Sequence, residues 1–301
     1  YIKWKTKNYY NGRLSNQFWD DNYFNGGYPV VFARYALLVP EQLKFNHRTQ
    51  NMSDEPTKRT TDDGVLYEWT ISNEPAIVYE AAMPPLTDVV KALYISSIQS
   101  WDYLVEWYTD VAQTKTRSSF EIKEEVEKLF VGKRNLSEEE KIRTVYNFIT
   151  ENIRYSSVPF RQSPLVPQKA RDVLVNRIGD CKDVATLCIA MLREVGITAH
   201  HVLVNTADQG SNANILPTIA FNHAIAAVET KKGLLYLDLT ANNFPFGSAP
   251  PPDVNAFSLL IKDGANKPGY LAKRNFSPNN VYRNTTVTIS NFWPETSQPD
   301  A

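Results

Sequence analysis

The sequence predicts an α+β protein, with a β-sandwich-like N-terminal domain followed by a domain in which helices pack on an antiparallel sheet. Two observations support this prediction. Up to about residue 116, short apolar runs are separated by Pro, Gly and Asn, as in a sandwich of short strands. Beyond that point the apolar residues recur at helical spacing before alternation returns. We expect domains over residues 1–116 and 117–262, and an extension over 263–301 that begins a further β module.

The composition is that of an ordinary globular protein. Of the 301 residues, 43% are hydrophobic and 22% are charged, and the length fits two domains better than one. The net charge of -1 gives no reason to expect a nucleic acid or an anionic membrane as partner. No run of about 18 apolar residues predicts a transmembrane helix. No signal peptide is visible, and because the chain begins at Tyr1 without an initiator Met we expect a processed or trimmed piece.

Short apolar runs predict the strands of the first domain. Each run alternates with polar residues or is rich in β-forming residues, and each ends near proline or a polar cluster. The polar stretch over residues 46–64 predicts a hairpin excursion or a loop. The predicted strands cover residues 28–39, 65–71, 77–80 and 89–96.

The second domain begins with helices. Ser137 and Glu140 have the spacing of a capping box, which predicts a helix from there to about Asn152. Shorter helices are predicted over residues 120–131 and 170–176. The best-defined helix begins at Cys181 and stops at Gly196. Its apolar stripe consists of Val184, Leu187, Cys188, Met191, Leu192 and Val195.

Strands return after this helix. The alternation predicts strands over residues 199–204, 222–229 and 233–238, with a short strand over 259–261. A further alternating run over 281–290 predicts the start of another β module. We expect the loops over residues 205–214 and 244–252 to shape a substrate cleft, because they flank these strands.

Cys181 is the first candidate for chemistry. It lies at the N-terminus of the predicted helix, where unbonded amides and the helix dipole favour a thiolate. Cys188 lies in the middle of the apolar stripe, and we interpret it as an inert core thiol. The two residues are roughly 10 Å apart along a helix, which is too far for a disulfide between them.

His223 and Asp238 are candidates for the base and its orienting carboxylate. If the two strands that carry them turn near residues 230–233, His223 and Asp238 are cross-strand neighbours within one or two residues. They lie on the same face if the register offset is even. The alternative is a solvated hairpin that carries an unrelated His and Asp. The two cysteines and four histidines have no CxxC or HxxxH spacing, so we expect no metal, and we expect no cofactor.

The motifs around these residues resemble those of the bacterial transglutaminase-like superfamily, whose core is papain-like. The order Cys, His, Asp also matches that family. The first domain resembles a β-rich module of unknown function that precedes this core, through residues 32–35, 66–69 and the tryptophans Trp101 and Trp107. The core motifs are residues 152–155 (Asn-Ile-Arg-Tyr), 179–183 (Gly-Asp-Cys-Lys-Asp), 221–228 (Phe-Asn-His-Ala-Ile-Ala-Ala-Val) and 236–241 (Tyr-Leu-Asp-Leu-Thr-Ala).

The resemblance implies acyl transfer by a catalytic triad. Cys181 would be the nucleophile, His223 would move the proton and Asp238 would orient the imidazole. The Cys181 amide is one candidate oxyanion donor, and the resemblance makes Tyr155 another. We expect hydrolysis of a peptide or carboxamide bond in a protein or peptide substrate.

Two alternatives stay open at this point. One is a protein-crosslinking transglutaminase, in which an amine takes the acyl group. The other is a binding or structural module that keeps the fold without turnover. The resemblance also implies an exported bacterial protein, in the periplasm or at the cell surface, with a surface partner for the N-terminal domain.

Overall fold

The computed structural model describes residues 14–53, 55–157, 165–210, 216–265, 267–271 and 285–286. The described residues of its N-terminal part form six strands and two helices. They are β1 (Trp19–Tyr23), β2 (Val30–Val39), β3 (Asn46–Gln50), β4 (Thr57–Thr61), β5 (Gly64–Glu74), α1 (Leu86–Val89), β6 (Ala92–Ser96) and α2 (Trp101–Gln113).

These strands form two three-stranded antiparallel sheets. One has the order β1-β6-β3 and the other β2-β5-β4. The two sheets share one apolar core, in which Trp69 and Ile71 of β5 pack with Leu93 and Ile95 of β6 and with Phe24. Alternation along β5 and β6 therefore turns one face of each sheet inward, as the period-2 pattern predicts.

Two details of this part differ from the prediction. Residues 77–80, which we expected to form a strand, have no regular structure. Pro75 precedes this segment and Pro84 and Pro85 follow it, and prolines remove the N–H donors that a ladder needs. Within the polar stretch 46–64, β4 does form a hairpin with β5 as expected, but β3 pairs instead with β6.

The helix α2 was not predicted, because its aromatic residues were assigned to the β-rich region. Ser100 caps it by accepting a hydrogen bond from the Tyr103 amide (3.4 Å). Its buried residues pack against Leu203, Ala224 and Leu259, which lie in the second half of the chain. The helix therefore precedes the predicted domain boundary near residue 116 but contacts the C-terminal sheet. The position of the domain boundary stays a prediction.

The C-terminal part places helices against one sheet. The sheet is antiparallel, with the strand order β11-β10-β9-β12-β13. Its elements are α3 (Phe120–Phe130), α4 (Glu138–Asn152), β7 (Arg154–Tyr155), α5 (Ala170–Asn176), β8 (Ile178–Gly179), α6 (Cys181–Glu194), β9 (Ala199–Asn205), β10 (His223–Thr230), β11 (Gly233–Leu237), β12 (Phe257–Leu260) and β13 (Gly269–Tyr270).

The helix α6 lies at the centre of this part. Every residue from Lys182 to Leu192 is buried, because one side of α6 faces the sheet and the other sides face α3, α4 and α5. The predicted apolar stripe accounts for only part of this burial, since the intervening Ala and Thr residues are also enclosed. A helix held on several sides fixes the position of its first residue.

The hairpin of β10 and β11 has the predicted turn. Its ladder pairs Ala226 with Leu237 and Thr230 with Gly233. Extending this register places Thr240 opposite His223, so Asp238 is two positions away. The offset is even, so the condition under which His223 and Asp238 share a face of the hairpin is met.

The end of the chain is described only in part. Strand β12 begins two residues earlier than predicted, and β13 adds residues 269–270 to the same sheet. The alternating run 281–290 lies outside the described residues, apart from residues 285–286. Within the ranges that the structure describes, no helix has the length and apolar character needed to cross a bilayer.

Candidate active site

Cys181 is the first residue of α6, and two aspartates fix the start of that helix. The Asp180 carboxylate accepts a hydrogen bond from the Asp183 amide (3.3 Å), and the Asp183 carboxylate accepts one from the Asp180 amide (3.1 Å). Lys182 forms a buried ion pair with Asp180. As a first-turn residue, Cys181 has an amide with no acceptor inside the helix. This amide is available to a negatively charged oxygen.

Gly179 lets the preceding chain approach this helix closely. A side-chain Cβ at this position would lie 2.8 Å from the Cβ of Asp183, closer than such atoms approach in proteins. The short parallel ladder of β7 and β8 pairs Tyr155 with Gly179, and the Ser156 amide donates to the Gly179 carbonyl (2.9 Å). Tyr155 therefore lies opposite Gly179, which precedes Cys181 by two positions in the chain.

Tyr155 is 42% exposed and carries an intact phenol at neutral pH. Burial raises its pKa, and the negative charges of Cys181, Asp180 and Asp238 raise it further. A phenol that keeps its proton can donate a hydrogen bond. The geometry is therefore compatible with the predicted oxyanion role of Tyr155, which stays a prediction.

His223 is the first residue of β10, and its imidazole contacts Asp238. Nε2 of His223 and Oδ2 of Asp238 are 3.2 Å apart, and both side chains are mostly buried. The other carboxylate oxygen, Oδ1, accepts hydrogen bonds from the amide (2.8 Å) and the hydroxyl (2.7 Å) of Thr240. The carboxylate is thus held on both oxygens, and because Nε2 is engaged by Asp238, we assign Nδ1 to the interaction of His223 with Cys181.

The electrostatics of this pair favour a charged imidazole. Burial by itself would lower the pKa of His223, but hydrogen bonds to Asp238 and Cys181 outweigh it and raise the pKa to about 10. Burial alone would raise the pKa of Asp238, but the contacts with His223 and Thr240 outweigh burial, so the pKa of this carboxyl is lowered. An imidazolium next to a thiol is the arrangement that activates cysteine nucleophiles.

The two cysteines have different surroundings. Cys181 is partly exposed, and both thiols are free. Cys188 is fully buried, and burial raises the pKa of its thiol to about 12. Cys188 therefore stays protonated at physiological pH, as the sequence predicted for a core thiol. The structure brings Cys181, His223 and Asp238 together and keeps Cys188 apart from them.

Two further residues contact the triad and were missed in the sequence. Thr240 follows Asp238 by two positions, a spacing at which an Asp side chain commonly bonds the backbone, so this signal was present. Asp253 comes from a one-turn 3-10 helix over Pro251–Asp253, in a Pro-rich stretch with no periodicity. Nothing in its local sequence indicated that it reaches the site.

His223, Asp238 and Asp253 also lie close enough to one another for a metal ion to fit. One ligand atom from each side chain lies within 4.8 Å of the other two. However, Nε2 of His223 and Oδ2 of Asp238 are already bonded to each other. A cation would have to break that bond, so we treat the three residues as a hydrogen-bonded cluster and assign no metal to them.

An open groove of about 520 Å³ lies beside the site. It is lined by Tyr155 and Thr240, and by the polar side chains of Glu151, Arg154 and Asn242 among others. A depression of similar size, about 550 Å³, lies at the other end of the hairpin near Lys232, away from the three candidate residues. Of the two, the first is the one positioned to receive a substrate. Residues 211–215 of the loop that we expected to shape the cleft lie outside the described residues.

Comparison with solved structures shows the same fold in another protein. A putative protease from Parabacteroides distasonis ATCC 8503 is similar with a TM-score of 0.66 and 17% identity, over 85% of this chain and 48% of that chain. This chain thus spans about half the length of that protein. A putative cysteine protease from Cytophaga hutchinsonii (TM-score 0.33, 14% identity, 74% and 78% covered) and the periplasmic domain of TgpA from Pseudomonas aeruginosa (0.31, 15%, 73% and 75%) are more distant. No curated protein matches the sequence significantly.

Two families match the sequence itself. Residues 3–78 match a domain of unknown function with a solved structure, DUF3857. Residues 127–238 match the transglutaminase-like superfamily, in a range that runs from α3 to Asp238 and includes Cys181 and His223. The resemblance inferred from the motifs is therefore confirmed, and the chain carries a transglutaminase-like domain preceded by a DUF3857 domain.

Proposed function

We propose that the protein is a cysteine-dependent hydrolase of peptide or carboxamide bonds, with Cys181 as nucleophile, His223 as acid and base, and Asp238 as the group that orients His223. The observation that carries this proposal is the cluster at the start of α6. There a mostly buried imidazole lies 3.2 Å from a buried carboxylate and also interacts with a partly exposed thiol. Membership of the transglutaminase-like superfamily supports a cysteine-dependent enzyme in general.

The first half of the reaction forms a thioester. The Cys181 thiolate attacks the carbonyl carbon, and the π electrons move to the carbonyl oxygen. The amide of Cys181 donates to this oxyanion, and Tyr155 is the candidate for a second donor. The His223 imidazolium then gives its proton to the leaving nitrogen, so the C–N bond breaks and an amine or ammonia departs.

The second half of the reaction releases the acid. Neutral His223 takes a proton from water, and the hydroxide formed attacks the thioester carbon. The C–S bond breaks, a carboxylic acid leaves, and the Cys181 thiolate and the imidazolium are restored. Asp238 acts in both halves by holding Nε2–H and stabilising the imidazolium, so that Nδ1 exchanges the proton with Cys181 and substrate.

Hydrolysis ranks above crosslinking in this proposal. The groove beside the triad is open and polar, which suits access by water. The structure with the same fold from Parabacteroides distasonis is described as a putative protease. We find no observation that specifically favours an amine as acceptor.

A peptide-library digestion tests this function. The wild-type protein should release new carboxyl termini or ammonia, whereas Cys181→Ala should release none and Cys188→Ala should retain activity. An added fluorescent primary amine separates the two enzyme classes, because its incorporation with release of ammonia would indicate crosslinking. No turnover of any substrate by a protein whose Cys181 is also unreactive would contradict the enzyme and favour the binding module.

The cellular location is also part of the proposal. Its support is the family resemblance, which implies an exported protein in the periplasm or at the cell surface. Fractionation of cells that express the full-length protein tests it. Recovery with the periplasmic or surface fraction is expected, and recovery with cytoplasmic markers would contradict it.

A further inference from the structure

Asp253 is a second carboxyl group at the candidate triad. It ends the 3-10 helix over Pro251–Asp253, and the residue is only 3% exposed. Its backbone is anchored at both ends, since its amide donates to the Pro250 carbonyl (2.9 Å) and its carbonyl accepts from the Ala256 amide (3.1 Å). The loop therefore holds the side chain against His223 and Asp238, with an atom of each within 4.8 Å of the others.

One oxygen of the Asp253 carboxyl is not satisfied by the groups around it. Oδ1 is buried and has no hydrogen-bond partner among the described residues. The side chain contacts the Asp238 carboxylate, which has no proton of its own to donate. A buried carboxyl without a compensating donor is unfavourable in a fold, and such groups are commonly kept for a functional reason.

We propose that Asp253 is a positioning residue of the candidate triad, which acts on Cys181 through the Asp238–His223 pair. When protonated, its carboxyl donates a hydrogen bond to Asp238 and holds that carboxylate in place. When ionised, it adds a second negative charge beside the imidazole and stabilises the imidazolium. This role rests on the proposed function of the triad, but its effect on the pKa of the His223 imidazole can be measured separately from catalysis.

The two forms interchange within the physiological range. Burial raises the pKa of Asp253 to about 6, and the charge of Asp238 and the contact with it act in the same direction, while His223 opposes them. Two carboxyl groups in one buried site share protons rather than ionise independently. Asp238 keeps the charge because His223 and both donors of Thr240 stabilise its carboxylate.

Other titratable groups face this cluster from the surrounding elements. Cys181 approaches from α6, Tyr146 from α4 and Tyr155 from β7, since their interactions with His223 or Asp238 contribute to its electrostatics. Burial raises the pKa of both tyrosines, so they stay neutral between pH 5 and about 9. A change near pH 6 in the state of His223 is therefore assigned to Asp253 when Cys181 is replaced.

The test is an NMR titration of the His223 imidazole in the Cys181→Ala protein, with a chelator present. Asp253→Asn keeps the shape and a donor but removes the charge. It should lower the pKa of His223 by about one pH unit, as expected when a neighbouring anion is lost. Asp263→Asn, which removes an exposed carboxylate further along the chain, should leave the His223 pKa unchanged. An unchanged His223 pKa in Asp253→Asn would overturn the proposal.

A second measurement covers the case in which Asp253→Asn does not fold. In the Cys181→Ala protein with Asp253 present, the His223 resonances should show an additional inflection near pH 6, before the imidazole itself titrates. A single inflection would overturn the proposal. Neither NMR titration depends on turnover. A negative result in them would therefore count against the role of Asp253 alone, whereas an unreactive Cys181 would count against the proposed hydrolase.

Discussion

At the scale of single residues, Asp238 determines which nitrogen of His223 carries a proton. Both donors of Thr240 point at Oδ1, so Oδ2 is the atom that accepts from Nε2. The proton on Nε2 leaves Nδ1 free to exchange a proton with Cys181. The carboxylate thus selects a tautomer as well as stabilising a charge.

Replacement of Asp238 by Asn tests this selection. The amide oxygen should take the place of Oδ1 against Thr240, which turns the NH₂ group toward Nε2. His223 then keeps its proton on Nδ1, the wrong tautomer for a base, and we expect hydrolysis to fall about 100-fold or more with little loss of stability. Thr240→Val, which removes one of the two donors, should have a smaller effect. Equal rates in wild type and Asp238→Asn would contradict the assignment.

The raised pKa of His223 also leads to a prediction of how the stability of the fold depends on pH. Its pKa is about 10 in the folded protein against 6.5 for an unperturbed imidazole. Because the folded value is raised, its contribution is complete below about pH 6.5 and is lost as the pH rises through about 10. Urea unfolding should show wild type losing about 1–3 kcal/mol more than His223→Gln over that interval. The same pH dependence in both proteins would argue against a charged His223 in the fold.

At the scale of elements, the start of α6 depends on Asp183. Its carboxylate accepts from the Asp180 amide, and also from the amide (2.7 Å) and the side-chain nitrogen (3.0 Å) of Gln168. The residue is fully buried. The same motif at α4, between Ser137 and Glu140, is exposed to solvent. The two capping boxes therefore differ in burial and in the number of groups that they satisfy.

This difference gives a matched pair of variants. Asp183→Ala leaves the buried Asp180 amide and two partly buried donors of Gln168 without this acceptor, and we expect it to lower the free energy of unfolding by about 3 kcal/mol or more. Ser137→Ala should lower it by about 1 kcal/mol. Denaturant unfolding measures both. Equal losses would show that the Asp183 network does not stabilise α6 as the structure indicates.

The elements that the sequence predicted well are those with local signals. The helices that begin at Glu138 and Cys181 start where predicted, because each has a capping box at its start and apolar residues at helical spacing. The hairpin that joins His223 to Asp238 was also predictable, since its short turn limits the register.

Features that depend on distant partners were not predictable in the same way. Strand β3 is recognisable only through its pairing with β6. Helix α2 was not predicted because its aromatic residues were interpreted as part of the β-rich domain, although Ser100 before it is a recognisable helix cap. Asp253 is brought to the site by an irregular Pro-rich loop, whose path follows no period. The candidate triad could therefore be predicted, while its fourth polar side chain required the structure.

At the scale of the whole molecule, the N-terminal sheet supports the loop that leads to His223. The Ser96 hydroxyl, at the end of β6, donates to the Pro217 carbonyl (2.5 Å) and accepts from the Ile98 amide (3.1 Å). Leu216 packs against the cluster of Val90, Ala92 and Tyr94. Because α2 also packs on the C-terminal sheet, the two parts are joined by an apolar core and buried hydrogen bonds.

Ser96→Val tests the coupling between the two parts. The substitution keeps the approximate size of the side chain but removes the hydroxyl. That hydroxyl donates to the Pro217 carbonyl and accepts from the Ile98 amide, and both hydrogen bonds are buried. We expect a loss of about 1–3 kcal/mol in a single cooperative unfolding transition. Two separate transitions in wild type, of which Ser96→Val changes only one, would show that the parts unfold independently.

If His223 activates Cys181, the rate of thiol alkylation at Cys181 depends on the imidazole. Peptide mapping after treatment with a chloroacetamide should show Cys181 reacting readily at pH 7 while Cys188, whose thiol is buried, stays unlabelled. In the His223→Ala protein we expect the rate at Cys181 to fall by about tenfold or more, because the imidazolium that holds the thiolate is lost. A Cys181 that reacts no faster than Cys188, at a rate that His223→Ala leaves unchanged, would contradict the account.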